Sequence, residues 1–318
     1  MTAQTATAKT TITDQALSRV PGYKQAAATL DTLTVWRANR PAAPDLPDPD
    51  TALWEAARAG RDLPDTLGRM YVDREREAEA HAKVTAELNH AITSARNEVE
   101  NTLRDGGSTA LAWLHERITT LAATVADTAN SLKGATTAEQ AITTGRAAAW
   151  ATLTGAVTDV DEIRTAQRRL YLAHYGTGIG PWTTTYQRAM FSVGLLANSL
   201  DHDAAWHAHR FAQRNRTSDL RDLRQHRAWL LSTPEPPHPS GVDRLTWWPT
   251  ADRGAYLIWA VTVPGVWVPT VDQLEAAWEA ANGATVAPRD GGNIGIDDQL
   301  KAAAAARRRY YEVTATKP

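Results

Sequence analysis

Residues 111–132 read LAWLHERITTLAATVADTANSL. Leu111, Leu114, Ile118, Leu121, Val125, Thr128 and Leu132 recur at alternating steps of three and four, the heptad spacing that lays one apolar seam along a helix. Such a seam has to be covered, so this stretch sets the fold class: mainly α, an elongated antiparallel helical bundle with heptad-like packing. The preceding piece places Val84, Leu88, Ile92, Ala95, Val99 and Leu103 on one stripe, with Arg74, Glu75, Arg76, Glu77, Glu79 and Lys83 on its other faces. The following piece opens on a Thr137-to-Gln140 capping box and carries Ile142, Ala149, Leu153, Ala156, Val160, Ile163 and Leu170. Asp105-Gly106-Gly107 and Lys133-Gly134 read as breaks. Short connections turn neighbouring helices antiparallel, which predicts a three-helix bundle over residues 64–175.

N-terminal to this core the sequence is segmented. The tract MTAQTATAKTTIT (1–13) has no period and reads as disordered. Asp14 or Thr13 would cap a helix reaching Trp36, interrupted at Pro21-Gly22, with Leu17, Val20, Tyr23, Leu30, Leu33 and Trp36 as its apolar positions. PAAPDLPDPD (41–50) is an extended spacer, and a short helix capped by Asp50 follows, its Leu53, Trp54 and Ala57 suggesting a docking element.

C-terminal to the core, Gly176-Thr177-Gly178-Ile179-Gly180-Pro181 reads as an interhelical turn, since no strand precedes it and no Lys-Ser/Thr follows as a phosphate loop requires. A very apolar helix is expected over 182–214 and another over 218–231. The Pro-rich segment STPEPPHPSG (232–241) is a linker, after which the period changes. Residues 245–248, 255–263 and 266–268 read as strands; a Thr270-to-Gln273 box opens a helix ending at Asn282-Gly283, and a last helix runs from Asp297 or Asp298 to Tyr311. The domain reading is a flexible N-terminus and spacer (1–50), a helical bundle (51–231), a linker (232–241) and a small Trp-rich α+β module (242–318).

Composition excludes much chemistry. Among 318 residues, 34 basic side chains against 36 acidic ones give a net charge of -2, too neutral for bulk polyanion binding. With no cysteine there is no disulfide, thiolate metal site or cysteine nucleophile. No stretch reaches the ~18 uncharged apolar residues of a membrane span, so a cytoplasmic protein without a membrane partner is expected, or a virion protein if the source is a phage. The 58 alanines, 28 arginines and only 6 lysines fit GC-rich coding in a bacterium or its phage. Twelve tryptophans ask for a structural reason.

Three groups of residues are candidate sites. Trp247, Trp248, Trp259 and Trp267, with Trp278, crowd into 32 residues; they form either the core of the small module or a face that anchors a protein partner. Arg210, Arg214, Arg221, Arg224 and Arg227, with Arg216, outnumber Asp219 and Asp222 over 207–227, a cationic stretch suited to phosphate contact or to intrahelical ion pairs. Asp201-His202-Asp203, with His207 and His209, is the densest group of metal-competent side chains. The His202-Asp203 dyad, with His174 one helix earlier, resembles the motif of the HD family of all-helical metal-dependent phosphohydrolases. The resemblance spans about fifty residues and implies metal ligation by His174, His202, Asp203 and either Asp219 or Asp222. Here the dyad sits in the polar context SLDHDAAWHAHR, where that family surrounds it with apolar and small residues. Asp159-x-Asp161-Glu162 offers paired carboxylates that read as solvated, and Arg307-Arg308-Arg309 reads as a last-turn cluster complementing the helix dipole.

The balance favours a non-enzymatic structural or adaptor protein, a helical assembly component that docks on itself or a protein partner, virion-associated or scaffold-like in one version. No cofactor is expected. Nucleic-acid association through the arginines and HD-like hydrolysis are the alternatives.

Overall fold

The computed structural model describes residues 10–42, 45–176, 185–197, 199–202, 206, 253–262, 265–285 and 296–315. Two compact units emerge: Pro21–Thr102, and Met1–Val20 together with Leu103–Pro318. These limits differ from the sequence boundaries at 50 and 231, and residues 232–241 lie outside the described ones.

In the Pro21–Thr102 unit, α2 (Tyr23–Ala38) and α3 (Pro49–Arg58) accompany the first part of α4 (Leu67–Leu132). The Arg40 guanidinium ties the chain after α2 to α4, donating to the His81 carbonyl at 2.7 Å and to the Thr85 hydroxyl. The buried residues here are few and mostly small: Ala26, Pro49, Ala56, Ile92, Ala95 and Val99.

The other unit begins with α1 (Ile12–Leu17). Its cap is Thr11 rather than Thr13 or Asp14: Thr11 Oγ1 accepts from the Asp14 amide at 3.0 Å, and the Asp14 carboxylate accepts from the Thr11 amide at 3.3 Å. Thr11 to Thr13 are therefore ordered.

The seam residues of α4 are buried as the spacing requires, with only Leu121 partly so. Their cover is α6 (Ala147–Tyr175) of the same chain. Arg104 Nε donates to the Ala173 carbonyl at 3.2 Å, Gly107 faces Leu170, Arg117 pairs with Asp159 at 3.3 Å, and Val125 and Leu132 share a cluster with Leu153, Ala156 and Val160. Positions rise along α4 as they fall along α6, so the two are antiparallel. Between them lies α5 (Ala138–Thr143), where Thr137 Oγ1 caps Gln140 and Gln140 Oε1 reaches back to the Thr136 amide at 2.9 Å.

The break expected at Asp105-Gly106-Gly107 does not occur. α4 runs 66 residues without interruption, so two of the three expected helices are one. Interior glycine costs about 1 kcal/mol relative to alanine. Gly107 is buried, and a Cβ there would meet Leu170 Cδ2 at 3.4 Å, so α6 packs directly on this turn of α4 and its cover outweighs the local glycine cost.

The α+β module is likewise corrected. No strand occurs among the described residues; α9 (Arg253–Thr262) occupies the segment read as strand 255–263, residues 245–248 lie outside the description, and 266–268 makes only an isolated antiparallel bridge, Val266 to Leu196. A short apolar run fits either period, and tertiary packing decides. Leu257 enters the Leu153–Ala156–Val160 cluster, while Tyr256 and Ala260 pack on Leu195 and Leu196.

α7 (Thr185–Val193) and α8 (Ser199–His202) precede α9 in the chain. α10 (Val271–Thr285), opened by the expected Thr270–Gln273 box, passes the Asn282-Gly283 stop by two residues. It pairs with α11 (Ile296–Ala315), where Gly283 lies close against Ala306. Since α11 ends at Ala315, Arg307 to Arg309 are not in its last turn and the dipole explanation lapses.

Candidate interaction surface

α3 is fixed through its first turn. Asp48 caps it, accepting from the Thr51 amide at 3.3 Å and hydroxyl at 3.0 Å, and also takes the Arg74 guanidinium; Asp50 takes the Tyr71 hydroxyl. The Thr51 hydroxyl bond, seconded by Arg74, holds the Asp48 carboxyl below the usual carboxylate range, and the bond to Asp50 raises the Tyr71 phenol. Pro49 and Ala56 of α3 are buried, while Leu53, at the edge of that side, is partly open and Trp54 and Ala57 are exposed. An amphipathic stripe normally faces a core; this one faces solvent.

The same unit exposes more. Trp54 is 67% exposed and Trp36 61%, and Val35, Leu53, Leu63, Tyr71, Val72 and Val84 are also exposed. Among the described residues, Ile142 is the one large exposed hydrophobic outside Pro21–Thr102. Residues 71–80, YVDREREAEA, are exposed on every face of their helix and alternate in sign from Asp73 through Arg74, Glu75 and Arg76 to Glu77.

The sequence pointed elsewhere for its tryptophan face. Trp267 is buried, its indole N–H donating to the Val193 carbonyl at 2.7 Å, and Trp259 is half-buried against Tyr256, so both work in packing. Trp278 meets the buried Trp206 edge to face at 5.4 Å. Trp247 and Trp248 lie outside the described residues. So do Arg210, Arg214, Arg221, Arg224 and Arg227, and of the dyad and its neighbours so do Asp203, Asp219 and the His202 side chain. His174 is within 3.9 Å of Glu275 and edge-on to Tyr175, and Asp201 accepts from the Tyr311 hydroxyl. Among the described residues no three His, Asp or Glu side chains converge as a metal site. No helix among them is long and apolar enough to cross a membrane.

The carboxylates at 159–162 have structural work. Asp159 pairs with Arg117, Asp161 with Arg253 and Glu162 with the Ile12 amide, so three elements are tied to one stretch of α6. Two residues on, Arg164 begins a buried polar face absent from the sequence reading. Its guanidinium donates to Gln167 Oε1 at 2.6 Å and to the carbonyls of Trp267 at 2.8 Å and Leu195 at 3.0 Å. Gln167 donates to the Gly194 carbonyl at 2.8 Å, and the Tyr171 hydroxyl to the Pro269 carbonyl at 2.8 Å. Burial lowers the Arg164 guanidinium to about 10, still cationic at neutrality, and pushes the Tyr171 phenol up. This face serves backbone carbonyls of residues 194–195 and 267–269.

Comparison with protein-family models, curated proteins and solved structures finds no match to this chain.

Proposed function

We propose that this chain is a non-enzymatic helical assembly component that docks through its Pro21–Thr102 unit onto a second copy of itself. One observation carries the reading: exposed large apolar side chains concentrate in that unit, with Trp36 and Trp54 outermost. Tryptophan anchors interfaces because one rigid side chain removes a large apolar area from water. About 150 Å² remains to be buried on each indole, about 4 kcal/mol apiece before the cost of association. The choice of a second copy rests on charge. Alternating signs over 73–77 offer both halves of each ion pair, which a two-fold related copy completes, whereas a strongly charged partner meets no single-sign field. The α4 seam is not the contact, because α6 already covers it.

The test is sedimentation velocity of the full chain from micromolar to submillimolar concentration, beside the double variant Trp36→Ser, Trp54→Ser. The chain is expected to dimerise or assemble further, with association weakened at least about a hundredfold in the variant. At concentrations where both proteins are monomeric its thermal midpoint should not move, since both side chains are exposed. A wild-type chain that stays monomeric throughout, or a variant that associates equally well, overturns the proposal.

A further inference from the structure

The segment Gly265-Val266-Trp267-Val268-Pro269 has no regular structure of its own, yet it connects directly through Thr270 to α10. It is held against α4 and α6 by one peptide group gripped from both sides. The Trp267 carbonyl accepts from Arg164 on α6 at 2.8 Å, and the Val268 amide donates to His115 Nδ1 on α4 at 3.2 Å. The remaining anchors are the Tyr171 hydroxyl on Pro269, the Trp267 indole on Val193, and backbone bonds from Ala197 to Gly265 and from Trp267 to Leu195. Arg164 and Tyr171 keep their protonation states across the neutral range. The imidazole does not share that property.

We propose that His115 is an acid-sensitive latch: protonation at Nδ1 removes the acceptor for the Val268 amide, loosens residues 265–269 from α4, and so couples acidity to the attachment of the α10–α11 hairpin. The chemistry at the contact requires this direction. Nδ1 accepts only while unprotonated; an imidazolium would set N–H against N–H with the Arg164 cation on the same peptide. Burial is the main influence and lowers the His115 imidazole, Arg164 adds to that, and only Glu116, beside it on α4, opposes. Residues 265–269 carry no charge. On α6, Asp159, Asp161 and Glu162 are engaged by Arg117, Arg253 and the Ile12 amide.

The sign follows from linkage. With the imidazole lowered while latched and near its ordinary 6.5 once released, the latch is intact above that value and weakens as pH falls below it. Hydrogen exchange of the full chain at pH 7.5 and 5.5, normalised to intrinsic rates, reads the effect. Opening at Val268 is expected to rise severalfold, up to about tenfold, at the lower pH, while Val160, in the α4–α6 core, changes less than twofold. His115→Asn, which puts a non-titrating amide oxygen in place of Nδ1, should keep Val268 protected at both pH values. Equal opening at both pH values in the wild type, or the same rise in the variant, overturns the latch. Should the variant not fold, NMR of the wild type decides: the His115 ring and Val268 amide must titrate together, and independent titration sinks the proposal.

Discussion

Arg164→Met is expected to destabilise the Met1–Val20/Leu103–Pro318 unit by about 3–5 kcal/mol. Two effects compete at this site. A buried charge carries a desolvation penalty, and replacing a complete buried ion pair by apolar residues can be neutral or stabilising. Arg164, 3% exposed, has a different set of partners: its guanidinium is divided among the carbonyls of Leu195 and Trp267, with Gly194 at 3.4 Å, and the Gln167 amide. A change to methionine removes the donors and leaves the carbonyls buried, each at about 1–3 kcal/mol. The acceptors therefore decide the sign. Methionine nearly conserves volume, so little of the loss is cavity. Arg164→Lys keeps the charge but offers a point donor where a planar fork reaches two segments at once, and should recover only part. Urea unfolding of the three proteins at pH 7 checks the order. A methionine variant as stable as the wild type would mean that desolvation outweighs the bonds.

How much of this was legible in the sequence depends on where each residue's partner comes from. The seam over 111–132 was readable because its spacing alone fixes which side of α4 is buried, and so were the Thr137 and Thr270 boxes, whose partners lie three residues away. Glycines 106 and 107 misled because propensity weighs about 1 kcal/mol against them while the approach of Leu170, sixty-three residues on, is invisible locally. The 255–263 run misled for the opposite reason: Tyr, Ile, Trp and Val favour strands, and the packing of Leu257 on Leu153, Ala156 and Val160 of α6 favours a helix. Arg164, Gln167 and Tyr171 look like ordinary helix positions until the 194–195 and 267–269 carbonyls arrive from 27 to 103 residues away. In α3, Leu53, Trp54 and Ala57 were legible as the apolar positions of a short helix, and the structure leaves them exposed. The exposure of Trp36 was not legible, because an apolar helix position reads as core unless the chain fails to supply a cover.

Gly265→Ala should be comparably damaging, at about 3–5 kcal/mol, and it tests the other end of the same segment. Gly265 has φ +126, a conformation L side chains rarely adopt, and an added Cβ would lie 2.7 Å from Ala197 Cβ, 2.8 Å from Ala197 N and 3.1 Å from Ala197 Cα. The close approach exists because the Ala197 amide donates to the Gly265 carbonyl at 2.6 Å. A methyl group at 265 thus adds backbone strain of about 1–3 kcal/mol and also forces that bond apart. Because two of the three colliding atoms are backbone, Ala197→Gly removes one collision and leaves two, so the double variant should recover only a minor share. Gly155→Ala is the contrast. It lies exposed inside α6 with nothing within 4 Å of the added carbon, and a helical interior gains about 0.5–1 kcal/mol on exchange of glycine for alanine. Denaturant midpoints of the four proteins should therefore move in opposite directions for the two single glycine changes. Alanine at 265 within 1 kcal/mol of wild type would show that the 197–265 approach can open without loss, leaving the hold on residues 265–269 to Arg164, Tyr171, His115 and the Trp267 bonds to Val193 and Leu195.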